Sequence, residues 1–127
     1  MKPRETALRL KRFEADEKAR KVADLEFMIR EFETIASDLD RQIQAEEERT
    51  GIKDPAHFSY STFAKSASGR RDNLRASADE LRLKLEAAVK DRDEAADQLN
   101  RAVANEPRES ERGSRRRSER SDGAVLR

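Results

Sequence analysis

Side chains able to act as acids, bases or ligands are plentiful in this chain but badly spaced for chemistry. Of 127 residues, 27 are Asp or Glu and 28 are Lys or Arg, with one histidine and no cysteine. A catalytic carboxylate needs convergent partners in a pocket that excludes water. Here the carboxylates recur along charged runs and read as solvated faces. No thiolate or histidine cluster has metal-ligand spacing, no glycine loop is built to cradle phosphate, and no nucleophile elbow occurs. The expectation is a non-enzymatic protein with no catalytic residue, cofactor or metal.

The residues that remain suit binding. His57, Phe58, Tyr60 and Phe63 cluster beside a turn and include three of the six aromatic residues. They read either as a cap on a helical core or as a patch of the residue types that anchor protein interfaces. His57 alone reads as a surface or helix-start residue. Phe27, Met28, Ile35 and Leu83 lie off the apolar stripes described next. Phe27 and Leu83 point away from the other helix and are candidates for docking or self-association. Arg115, Arg116 and Arg117 resemble a footprint for nucleic acid, but residues 106–127 carry a net charge of only +2, so no nucleic-acid partner is expected.

These residues must be held by long helices. Val22, Leu25, Ile29, Phe32, Ala36, Leu39 and Ile43 follow alternating three- and four-residue steps, which places them on one helical stripe. Leu8 and Ala15 extend the stripe backward, but Lys11 and Lys18 then fall on it. Helix one is predicted over about 4–49. The break at 50–55 contains Gly51, suited to a left-handed helix end, with Asp54 as N-cap and Pro55 as first residue of helix two. A second stripe runs Tyr60, Ala64, Ala67, Leu74, Ala78, Leu81, Leu85, Ala88, Arg92, Ala95, Leu99 and Ala102. Helix two is predicted over about 55–105, ending before Pro107. Residues 106–127, rich in Arg and Ser without apolar period, are expected to form a disordered tail.

A short connection between helices of similar length favours antiparallel neighbours. Charge agrees. Residues 1–21 hold eight basic and four acidic side chains, and 24–54 hold four basic and ten acidic. In the second helix, 65–84 holds six basic and three acidic, and 85–104 three basic and five acidic. Antiparallel pairing brings opposite signs together. The expected fold is all-α, a long antiparallel two-helix coiled-coil hairpin over 1–105, a monomeric rod about 70 Å long at 1.5 Å rise per residue. Lys11, Lys18 and Arg92 should loosen the half that carries the termini.

A hydrophobic fraction of 35% against 43% charged argues against a compact globular core. The first 13 residues lack the apolar stretch of a signal peptide, and no run of about 18 apolar residues occurs, so a membrane is expected to be reached only through a partner. The lack of cysteine fits a cytoplasmic protein.

Several segments are familiar in combination. Met1-Lys2-Pro3-Arg4-Glu5-Thr6 with Arg9-Leu10-Lys11-Arg12-Phe13, the turn Gly51-Ile52-Lys53-Asp54-Pro55-Ala56-His57-Phe58, and Arg70-Arg71-Asp72-Asn73-Leu74 followed by Ser77-Ala78-Asp79-Glu80-Leu81 resemble the flagellar export protein FliJ family of alphaproteobacteria. The resemblance covers roughly residues 1–100. It implies an antiparallel two-helix coiled coil acting as a cytoplasmic cofactor of flagellar type III secretion, peripheral to the inner membrane at the flagellar base. Its partners would be the export ATPase, the membrane export gate and export chaperones. Leu8 and Lys11 would belong to the ATPase-facing end, and His57, Phe58 and Phe63 to the gate-facing end. Pro107 and the Arg/Ser tail depart from the family, whose second helix is expected to run further. The alternative is a generic coiled-coil scaffold that associates through Phe27, Met28 and Leu83.

Overall fold

The computed structural model describes residues 3–125, with side chains described through Asn105. Two helices make up the order of elements: α1, Pro3–Thr50, and α2, Thr62–Val125. Between Arg4 and Thr50 α1 contains neither glycine nor proline. Pro3 occupies the first position, where its missing N–H costs nothing. Glu5 in the first turn and Arg49 in the last complement the helix dipole.

Gly51 ends α1. Its φ of 73° lies in the left-handed region, and its N–H donates to the Glu47 carbonyl at 2.9 Å, the single-bond left-handed cap. The Thr50 hydroxyl donates to the same carbonyl at 3.4 Å and accepts from the Ile52 N–H at 3.3 Å.

The start of α2 differs from expectation. Asp54 and Pro55 do not open the helix; Asp54 Oδ1 accepts from the Ala56 N–H at 2.9 Å and closes a turn inside the loop. The cap is Ser61, whose Oγ accepts from the Ala64 N–H at 3.2 Å while its carbonyl takes the first helical bond from the Lys65 N–H at 3.0 Å. Ser61 is favoured because its hydroxyl also donates to Glu46 Oε1 of α1 at 3.0 Å. A tertiary contact therefore selects it over Asp54. The other end of α2 also differs, since the helix runs to Val125 instead of stopping near Asn105. Proline lacks the N–H and crowds the preceding turn, yet the helix is continuous through position 107. The disordered tail expected over 106–127 falls on residues whose side chains lie outside those described.

The chain divides into two compact units, Arg20–Val89 and a second comprising Met1–Ala19 with Lys90–Arg127. Within Arg20–Val89 the helices pack antiparallel as expected. Val22, Leu25, Ile29, Leu81 and Ala88 form one core cluster, flanked by Phe32, Leu85 and Val89. Leu39, Ile43, Ala64 and Ala67 form another, flanked by Ile35, Tyr60 and Leu74. Ile35, expected off the seam, thus belongs to it. Every buried hydrophobic residue described lies in this unit. In the other unit Leu8, Lys11, Ala15 and Lys18 of α1 and Arg92, Ala95, Leu99 and Ala102 of α2 are half-buried. Cationic heads resist full burial, so this seam stays thin.

Candidate partner-binding surface

The loop between the helices holds the most exposed aromatic residue. The His57 N–H donates to the Asp54 carbonyl at 3.0 Å, and the Tyr60 N–H donates to the His57 carbonyl at 3.0 Å. The Ser59 N–H donates to His57 Nδ1 at 3.0 Å. With Nδ1 acting as acceptor, the neutral imidazole carries its proton on Nε2. The ring stacks on Phe58, centroids 4.8 Å apart and planes 20° from parallel. Phe58 is 95% exposed. Backbone bonds, and not burial, keep this pair in place.

The aromatic cluster therefore divides. Tyr60 packs against the core of Leu39, Ile43, Ala64 and Ala67, while Phe58 and Phe63 stay exposed. Phe27 and Leu83, 57% and 70% exposed, lie on their helices away from the seam as expected. Leu8 and Lys11 stand half-buried in the seam and are not outward-facing. The exposed apolar residues of that stretch are Leu10 and Phe13, which a search for one seam passes over.

Charge is arranged across the helices. Arg71 fills the seam position between Ala67 and Leu74, a place the expected stripe left unassigned. Its Nη1 donates to Asp40 at 2.8 Å, and Arg75 pairs with the other Asp40 oxygen. The Arg71 hydrogen bond above all, aided by the charge of Arg75 and opposed by partial burial, holds the Asp40 carboxyl below the usual range. The same bond raises Arg71. Arg82 pairs with Glu33 of α1 and Asp79 of its own helix. The hydrogen bond from Arg49, then that from Ser61, lowers Glu46. In each described ion pair between helices the acid comes from α1 and the base from α2.

Arg75 and Arg82 lie further from the loop than the acids they meet, whereas Arg71 stands nearly level with Asp40. Every Cα–Cβ bond leans toward its own helix N-terminus. In an antiparallel hairpin α1 side chains therefore lean away from the loop and α2 side chains toward it, which favours the offset of the two longer-reaching pairs.

No group of three or more His, Asp or Glu residues is placed to hold a metal among the described residues. A groove of about 380 Å³ lies where Phe32, Ala36 and Ala78 meet between Arg75 and Arg82. It is open along one side, and both arginines are already paired with carboxylates. No helix among the described residues is long and apolar enough to cross a membrane. No protein-family model matches the chain, and neither a curated protein nor a solved structure shows significant similarity to it.

Proposed function

We propose that this chain is a cofactor of the flagellar type III export apparatus, a two-helix hairpin that couples the export ATPase to the membrane export gate and meets export chaperones. It acts on the cytoplasmic side of the inner membrane through binding, without covalent chemistry of its own. The observation that carries the reading is the ordered loop. Holding Phe58 in water forgoes about 1.5–3 kcal/mol of burial, which a partner that covers it would recover. The sequence resemblance over residues 1–100 supplies the identity of the partners.

The test is capture of the export gate's cytoplasmic domain by the full chain and by the double variant Phe58→Ala, Phe63→Ala. The expected outcome is a loss of at least about tenfold in affinity with unchanged helicity. Equal capture by both proteins contradicts the reading, as does failure of the intact chain to capture the gate. Exposed Phe27 and Leu83 favour a second reading, a scaffold without an export role. It predicts stable higher oligomers and no capture of ATPase or gate.

A further inference from the structure

The loop between the helices is two turns joined at His57. The first runs from Asp54 to His57 and the second from His57 to Tyr60, each closed by a backbone bond of 3.0 Å from its last N–H to its first carbonyl. In each turn the side chain of the first residue also accepts the N–H two residues on. Asp54 Oδ1 takes that of Ala56 at 2.9 Å, and His57 Nδ1 takes that of Ser59 at 3.0 Å. Asp and Asn commonly fill this place in turns. An imidazole differs from them in gaining or losing a proton near neutrality, and His57 is the only histidine in the chain. Phe58 sits inside the second turn with its ring against the imidazole. The charged groups bordering the loop are Lys53 and Asp54 within it, Glu47, Glu48 and the Glu46–Arg49 pair at the end of α1, and Lys65 at the start of α2. Tyr60 packs against the core. None of these side chains bonds to the imidazole among the described residues.

We propose that His57 is a proton-operated latch on Phe58: a proton on Nδ1 opens the second turn and frees the ring that the neutral imidazole holds in place. Once Nδ1 is protonated both ring nitrogens are donors, so the Ser59 N–H faces a donor and loses its acceptor. Ser59 is exposed, and water takes over its N–H. Burial cannot hold Phe58 instead, because the residue is 95% exposed. The first turn keeps its own acceptor on Asp54, and the Ser61 cap of α2 keeps its bonds to Ala64 and Glu46, so the change is confined to the tip. A freed Phe58 must be ordered again by whatever covers it, and affinity at the tip therefore falls as His57 takes its proton. That consequence rests on the export reading, which makes Phe58 a partner contact; the latch itself does not.

The test is nitrogen-15 relaxation of the full chain between about pH 8 and pH 5, the range in which a histidine changes charge, with the His57 ring resonances followed in the same samples. The backbone order parameters of Phe58 and Ser59 are expected to fall from about 0.85 to below about 0.6. The Ser59 amide shift should move along the same titration curve as the His57 ring. His57→Asn offers an amide oxygen to the same N–H and takes no proton, so both order parameters should stay near about 0.85 throughout. His57→Phe keeps a ring to stack but has no acceptor, and should give the low values at either pH. All readings are made on the chain alone, so a failure here is distinct from a failure to capture the export gate. A Ser59 amide indifferent to the His57 titration overturns the proposal, and so does an unchanged pH dependence in His57→Asn. Release of Ser59 with Phe58 still at its pH 8 value would show that stacking alone holds the ring and would equally overturn it.

Discussion

Two glycines show how the same residue type serves opposite ends. Gly51 sits at a φ of 73° with open space around it, so Gly51→Ala brings no collision and only the backbone penalty. That change should destabilise the chain by about 1–2 kcal/mol. Gly69 lies inside α2 and an added Cβ again meets nothing within 4 Å. Gly69→Ala should stabilise by roughly 0.5–1 kcal/mol, since glycine inside a helix only adds entropy to the unfolded chain. Thermal melts of the two variants should move in opposite directions. Asp40 sets an acid dependence. Its carboxyl is lowered in the native state, chiefly by the Arg71 hydrogen bond, so its stabilisation is complete above the ordinary carboxylate range. That stabilisation fades as pH falls through the native value and is gone below it. Asp40→Asn should therefore flatten the acid limb of a stability–pH profile and leave its neutral-to-basic shape unchanged.

Among the elements, both seams were legible in sequence because three-four spacing of Leu, Ile, Val and Ala survives translation into burial. Val22, Leu25, Ile29, Ala36, Leu39 and Ile43 are all buried. The start of α2 was not legible. Asp54-Pro55 carries the stronger local signal, but Ser61 is chosen by Glu46, fifteen residues earlier in the chain, and no local rule sees that contact. Ser61→Ala should cost about 1 kcal/mol, the usual worth of an N-cap, with Asp54→Ala loosening the loop while leaving the first turn of α2 helical. Backbone amide chemical shifts distinguish the two outcomes. Arg71 escaped notice for a related reason. A cation in a seam reads as an interruption until its carboxylate partner, on the other helix, is known. The exposure of Phe27 follows from the register, whereas that of Leu10 and Phe13 is missed by a reading that looks for one seam.

For the whole molecule, the uneven distribution of buried residues sets the order in which structure is lost. The unit Arg20–Val89 holds every buried hydrophobic residue described, and local opening is cheapest where apolar contacts are fewest. Amides of residues 3–19 and 90–105 should exchange with solvent well before those of 22–43 and 64–88, as read by hydrogen-exchange mass spectrometry. Leu25→Ala should cost about 2–5 kcal/mol, whereas Leu8→Ala, half-buried in the thinner seam, should cost about 1 kcal/mol.

The seam of Arg20–Val89 is tested most directly by methyl NOEs in a dilute, Ile-, Leu-, Val- and Ala-labelled sample. NOEs from Val22, Leu25 and Ile29 to Leu81, Leu85 and Ala88, together with NOEs from Leu39 and Ile43 to Ala64 and Ala67, are the predicted result. Contacts from Val22 to Ala64, or core methyls that meet only neighbours on their own helix, would contradict the antiparallel packing on which the binding surfaces depend.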